Sequence, residues 1–245
     1  MVGDEAQVQS AEVSRESGSK DLTDTWMMAY RVFLDTADPA EIRDAVGTGL
    51  VDGIATNPEK VFESGMTYRR VIEEIRRFFD GPIAVQAVGR TTQEICDCAR
   101  RLHGIDPLLA IKIAANKEGL AAVKILVPEG VRTNATLMFN PTQALLAALA
   151  GSPFVSPFVG RAKMTGATGT GEIAQMRRLL DAFGLRRTNI IAASIKDVEQ
   201  VVESILAGAH SVAVPFNVFE AMCAHPLTSA GLDSFSSLFD RIPAS

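Results

Sequence analysis

The sequence predicts an α/β protein folded as a single (β/α)8 barrel. Three observations predict it. Short apolar runs alternate with amphipathic stretches from Arg31 onward. The runs are almost continuously apolar, as strands of a parallel sheet covered on both faces are. Eight such strand–helix units follow one another with no linker or second domain between them, at the period of about 25 residues that a βα unit needs.

The first strand is RVFL (31–34), which ends at Asp35-Thr36; Asp38 then offers an N-cap and Pro39 a first helical position. DGIAT (52–56) is the second strand and TYRRVIEEIRRFF (67–79) a helix with charges on one side. PIAVQAV (82–88) and TTQEICDCARRLH (91–103) make the third unit. The fourth is PLLAIKIAA (107–115) with a helix in NKEGLAAVKILVPEG, and the fifth is VRTNATLMF (131–139) with PTQALLAALAG. PFVSPFV (153–159) is the sixth strand, separated from the helix EIAQMRRLLDAFG by a Gly/Thr-rich loop, TGATGTG (165–171). That loop lacks P-loop spacing and reads as a flexible active-site loop. TNIIAAS (188–194) and HSVAVP (210–215) are strands seven and eight, with helices IKDVEQVVESILAG and NVFEAMCA. A last amphipathic segment (228–242) presents Leu232, Phe235, Leu238 and Phe239, to cover either its own barrel or a neighbour's.

Composition narrows the function. The chain has 245 residues, 47 % of them hydrophobic, enough for a sizeable core. A net charge of −5 argues against a nucleic-acid surface, which needs a basic patch. Cys96 and Cys98 stand too close for usual zinc spacing, Cys223 is remote, and His103, His210 and His225 are scattered. The cysteines read as reduced structural thiols, and no metal is expected. Residues 1–28 are polar and acidic and read as a disordered tail, with the barrel and its C-terminal helix over 29–245. The tail has no apolar run for a secretory signal, and no stretch approaches the roughly 18 apolar residues of a membrane span. The expected location is the cytoplasm.

In this barrel the active site lies at the C-terminal strand ends. The polar residues there are Asp35, Thr56, Asn57, Gln86, Lys112, Asn134, Thr136, Ser156, Arg161, Ser194 and Lys196. Lys112 stands out, in LLAIKIAA with apolar neighbours on both sides. A charged lysine there costs several kcal/mol unless it is paired or neutralised. Desolvation lowers its pKa and frees the amine to attack a carbonyl. Position alone equally allows a lysine that snorkels at the strand end or pairs with Asp35. Asp35 can shuttle protons to a hydroxyl, or cap a helix, although Asp38 is better placed to cap. Gln86 and Thr136 suit either a held water or a polar barrel layer. Arg161, Ser194 and Lys196 suit a phosphate site, against the plainer reading of solvated charge.

Six segments in order, FLDTADPAEI, DGIATNP, AIKIAA, TNATLMFNPTQA, SPFVGR and AASIKD, resemble the transaldolases and their short relatives, the fructose-6-phosphate aldolases. The resemblance spans residues 31 to about 225. It implies aldol chemistry on sugar phosphates without metal or organic cofactor. By that resemblance Lys112 is the Schiff-base lysine, and Asp35 the acid/base acting on the C4 hydroxyl. Thr136 holds a catalytic water. Thr56, Asn57, Asn134 and Ser156 line the dihydroxyacetone pocket, and Arg161, Ser194 and Lys196 bind phosphate. The partners implied are ketose and aldose phosphates and further copies of the same chain. Phe158 resembles the transaldolases, where the aldolases carry tyrosine, whereas Gln86 resembles the aldolases, where transaldolases carry glutamate. Ala55 and Asn116 depart from the usual threonines and leave room for a specialised acceptor. One family use is the making of long-chain sugars such as octulose 8-phosphate. The alternatives are an aldolase that releases free dihydroxyacetone and a non-catalytic barrel that binds a sugar phosphate.

Overall fold

The computed structural model describes residues 31–164, 166 and 168–243. The expected tail at 1–28 lies outside the described residues. Eight parallel strands close into a barrel in sequence order, β1 to β8, with β1 paired to both β2 and β8. The strands are β1 Val32–Asp35, β2 Gly53–Ala55, β3 Ile83–Gln86, β4 Ala110–Ala114, β5 Thr133–Met138, β6 Phe154–Pro157, β7 Asn189–Ala192 and β8 Ser211–Val214. The helices between them are α1 Pro39–Gly47, α2 Pro58–Glu63, α3 Tyr68–Arg76, α4 Thr92–His103, α5 Lys117–Leu126 and α6 Pro141–Leu149. Then come α7 Val159–Met164, α8 Thr170–Ala182, α9 Val198–Leu206, α10 Phe216–Cys223 and α11 Pro226–Phe239.

Local chemistry sets the starts. Asp38-Pro39, Asn57-Pro58 and Asn140-Pro141 each put a capping side chain before a proline at the first helical position. The side-chain oxygen takes an orphan amide, and the proline gives up an N–H that had no partner. Thr91 and Asn140 form capping boxes with Glu94 and Gln143. Outward strand residues such as Leu34, Ile54, Ile111 and Ala135 pack on the helices in one continuous core.

The observed elements depart from expectation in three places. Strand four starts at Ala110 rather than residue 107, because the Asp106 carboxylate accepts the Leu108 amide at 2.8 Å and holds a turn there. Two short helices, α2 and α7, were not expected; six residues give too few turns to show a period. The loop read over 165–171 includes the start of α8 at Thr170, and its residues 165 and 167 lie outside the described residues. None of the residues of the C-terminal α11 is buried.

Candidate active site

Alternate strand residues share a face, so the barrel interior is built in layers. One interior layer is apolar and mostly small, with Ala55, Ala84 and Ala110 beside Phe33, Phe154 and Ile191. Two residues further along the same strands the interior turns polar, with Asp35 after Phe33, Gln86 after Ala84, Lys112 after Ala110 and Ser156 after Phe154. Strand register then sets Gln86 beside Lys112, and Lys112 beside Asn134.

Lys112 is 6 % exposed, and its Nζ donates to the Thr56 carbonyl at 3.0 Å. Burial pushes its ammonium below the ordinary lysine range, opposed in part by the charge of Asp35. Burial pushes the Asp35 carboxyl up, and Lys112, Lys60, Lys196 and a hydrogen bond from Asn57 pull it back. That bond runs from Asn57 Nδ2 to Asp35 Oδ1 at 3.4 Å. Lys112 therefore points its proton at a main-chain carbonyl, and is not locked against Asp35. Both groups are displaced toward neutrality. A neutral amine is a nucleophile, and a carboxyl with a raised pKa can hold and return a proton.

The neighbours complete the polar layer. Gln86 Nε2 donates to the carbonyls of Ala87 and Lys112, each at 3.2 Å, which leaves the Gln86 carbonyl oxygen as the group it can offer. Ser156 Oγ donates to Asn134 Oδ1 at 2.9 Å. The Thr136 hydroxyl is buried without a hydrogen-bond partner, an uncommon condition for a buried polar atom.

Above this layer a two-lobed cleft opens, and its lobes share Lys112, Asn57, Glu59, Phe158 and Arg161. The larger lobe, about 420 Å³, lies on the β3–β5 side against Gln86, Val88, Ile95, Asn116 and Leu137. The smaller, about 180 Å³, lies on the β1, β7 and β8 side and holds Asp35, Lys60, Ser194 and Lys196. Leu137 and Ser194 sit on the two rims with φ of 53° and 58°. A side-chain-bearing residue in that left-handed region costs of order 1 kcal/mol. At Ser194 the turn presents a carbonyl that accepts the Gly160 amide at 3.0 Å. A Cβ on Gly160 would stand 2.3 Å from that oxygen and 2.7 Å from Lys196 Cγ, so glycine is what lets α7 meet the end of β7.

Arg161 lies over the Phe158 ring, 5.3 Å from its centre, and 3.9 Å from the Glu59 carboxylate. Phe158 in turn meets Phe139 edge to face, with centroids 6.0 Å apart. This stack holds the guanidinium over the cleft.

Of the residues singled out in the sequence, Asp35, Asn57, Gln86, Lys112, Phe158, Arg161, Ser194 and Lys196 come together on the cleft wall. Asn134 and Ser156 line a small cavity of about 20 Å³ beneath it. The side chains of Thr56 and Thr136 line neither lobe: Thr56 contributes its carbonyl, and its hydroxyl turns to the Asn57 carbonyl at 3.5 Å. Sequence reading missed Glu59 and Lys60. The signal was there: Asn-Pro at a strand end marks a helix start, and a helix starting there carries its first turn over the mouth. The expected thiols are all free, with Cys96 buried, Cys98 half-buried and Cys223 exposed. Among the described residues, no group of three or more His, Cys, Asp or Glu is placed to hold a metal, and no helix is long and apolar enough to cross a membrane.

Residues 32–243 match the family model described as Transaldolase/Fructose-6-phosphate aldolase. Among curated relatives, a probable transaldolase of Dictyoglomus turgidum is 38 % identical over 213 residues, 87 % of this chain and 99 % of that protein. A probable transaldolase of Geotalea uraniireducens is 41 % identical with the same coverage. Probable transaldolase 1 of Listeria monocytogenes is 43 % identical over 84 % of this chain and 95 % of its own. Solved structures share the fold at low identity. A FabK mutant of Thermotoga maritima matches with a TM-score of 0.54 at 16 % identity, over 79 % of this chain and 63 % of that one. A flavocytochrome b2 mutant matches with a TM-score of 0.56 at 10 % identity, over 76 % of this chain and 56 % of that one.

Proposed function

The chain belongs to the transaldolase/fructose-6-phosphate aldolase family, and we propose that it moves a dihydroxyacetone unit from a ketose phosphate to an aldose phosphate through a Schiff base on Lys112. The donor is fructose 6-phosphate or sedoheptulose 7-phosphate. The observation that carries this reading is the pair at the mouth of the barrel: an amine with its pKa pushed down and a carboxyl with its pKa pushed up, unpaired and on one cleft wall.

The neutral amine of Lys112 adds to the C2 carbonyl, and loss of water gives an iminium. Asp35 takes the C4 hydroxyl proton as the C3–C4 bond breaks. The bonding electrons flow into the iminium and leave an enamine, and the aldose phosphate departs. An acceptor aldehyde then adds at the enamine carbon while Asp35 returns the proton to its oxygen. Hydrolysis frees Lys112. The Gln86 carbonyl oxygen and the unpartnered Thr136 hydroxyl are the groups offered to the water of the first and last steps. Asn57, Asn134 and Ser156 serve the hydroxyls of the three-carbon unit. Arg161, Ser194 and Lys196 serve the phosphate, at the side of the barrel where such folds often bind one. The route as written uses side chains and water.

Transfer requires the enamine to wait for an acceptor, and Phe158 supports that: it puts an apolar ring without a hydroxyl at the junction of both lobes. The second reading is an aldolase that releases free dihydroxyacetone. Gln86 favours it, because an amide cannot hold the proton that a glutamate there would. Borohydride reduction after incubation with fructose 6-phosphate tests the chemistry: the adduct mass belongs on Lys112, and its absence there defeats the Schiff-base route. Acceptor dependence separates the readings. Transfer predicts little glyceraldehyde 3-phosphate from fructose 6-phosphate alone and a full rate with an acceptor panel. That panel should include the aldose that yields octulose 8-phosphate.

The protein's substrates and free thiols fit the cytoplasm. Self-association fits α11, on which Leu227, Leu232, Phe235 and Phe239 are 65–76 % exposed. Light scattering on Phe235→Ser/Phe239→Ser should give a smaller particle than the parent; an unchanged mass would remove α11 from the interface.

A further inference from the structure

We propose that Lys60 is a further substrate-binding residue, a third cation of the Asp35 lobe that grips the phosphate of the bound sugar and so favours phosphorylated over neutral substrates. This rests on the reading that a sugar phosphate enters that lobe.

The sequence puts Lys60 at the third position of α2, whose N-cap is Asn57. Asn57 Oδ1 accepts the Lys60 amide at 3.1 Å, while Asn57 Nδ2 donates to Asp35 at 3.4 Å. One side chain thus fixes the Lys60 backbone and the Asp35 carboxylate relative to each other. Lys60 lines the lobe together with Asp35, Ser194, Lys196 and Arg161. Its charge acts on Asp35 more strongly than that of Lys196, so it is no remote surface charge.

Charge balance says why a third cation is needed. Arg161 and Lys196 share their wall with the carboxylates of Asp35 and Glu59. The two carboxylates offset those two cations, and the Lys112 amine on the same wall is shifted toward its neutral form by burial. Lys60 tips the lobe toward the anion. It is also free to move. Lys60 Nζ donates to Glu63 at 2.8 Å, with side chains 34 % and 54 % exposed. Such an exposed pair contributes little and exchanges readily for a stronger charge-assisted bond to phosphate.

The test compares Lys60→Met, Lys60→Arg and Glu63→Gln with the parent, each first checked by circular dichroism. With saturating fructose 6-phosphate, Lys60→Met should raise KM about tenfold for erythrose 4-phosphate and leave KM for unphosphorylated erythrose within about twofold. Lys60→Arg should recover most of the loss, and Glu63→Gln, which frees the ammonium, should lower KM for erythrose 4-phosphate. Equal effects on both acceptors, or none on either, overturn the proposal. Calorimetric binding of inorganic phosphate to the full chain gives an independent arm. If the parent shows no transfer but Lys60→Met still weakens phosphate binding about tenfold, the cation site stands and the functional reading falls. If the parent is active and phosphate affinity is indifferent to Lys60→Met, the site falls alone.

Discussion

Replacing Lys112 by methionine separates chemistry from folding. The side chain is 6 % exposed and makes one hydrogen bond, to the Thr56 carbonyl at 3.0 Å. Methionine has similar length and no amine. Losing the bond and leaving a buried carbonyl unpaired costs about 1–3 kcal/mol. Against that, the variant no longer desolvates an amine, which is the larger of the two causes lowering the Lys112 pKa. The thioether keeps the apolar contacts that the lysine stem makes beside Ala55, Ala84 and Ala110. These contributions nearly cancel, so urea unfolding should place the variant within about 1 kcal/mol of the parent. Activity should not cancel. Loss of a covalent nucleophile lowers kcat by about 10³ or more. Coupled transfer kinetics and denaturation on the same preparation measure both. A variant that keeps more than a tenth of the parental rate would refute the role of Lys112. One that loses more than about 3 kcal/mol of stability would refute the claim that its burial serves chemistry rather than folding.

Asp35→Asn should cut carbon–carbon cleavage by about 10²–10⁴ yet still let borohydride trap dihydroxyacetone on Lys112; loss of trapping would make Asp35 a structural partner instead. Because burial raises the Asp35 pKa, the acid limb of kcat/KM should lie above the ordinary carboxylate value of about 4 and vanish in that variant. Gly160→Ala, which forces a Cβ to 2.3 Å from the Ser194 carbonyl, should cost about 1–3 kcal/mol in thermal unfolding and raise KM for phosphorylated sugars; a neutral result would deny the close approach of α7 to β7. Phe158→Tyr should raise acceptor-free release of dihydroxyacetone, read by a coupled reductase assay, and an unchanged ratio of release to transfer would remove Phe158 from that decision.

The barrel and the buried Lys112–Asp35 pair were both legible in the sequence, for one reason. A strand buried on two faces must be apolar throughout, so each polar exception in such a run is conspicuous. Lys112 in LLAIKIAA and Asp35 after VFL are such exceptions, and strand parity puts both inside. Lys60 and Glu59 were signalled only by the Asn57-Pro58 helix start and were missed. They stand on the six-residue α2, where a charged residue is the ordinary surface choice, and only the closed barrel turns that first turn over the mouth. Arg161 was legible as a cation of the cleft, but its stacking on Phe158 was not, since Phe158 reads as one more apolar residue of strand six. The strand ends were overestimated where a local turn such as Asp106-Pro107-Leu108 won over apolar continuity.

The same burial that shifts both members of the pair toward their neutral forms sets their relation to stability. The Lys112 pKa is lowered on folding, so its folding cost is full at low pH and is relieved as pH rises from the folded value toward about 10.4. The Asp35 pKa is raised, so its cost is full at high pH and is relieved as pH falls from the folded value toward about 3.9. The first cost is felt below about 10.4 and the second above about 3.9, so at neutral pH both groups oppose folding. The fold carries them because the apolar layers around and beneath are continuous. Two groups that each oppose folding at the working pH, on one cleft wall, are hard to explain as structural choices. An apolar pair would pack there at less cost, and what it could not supply is an amine shifted toward its neutral form next to a carboxyl shifted toward its protonated one.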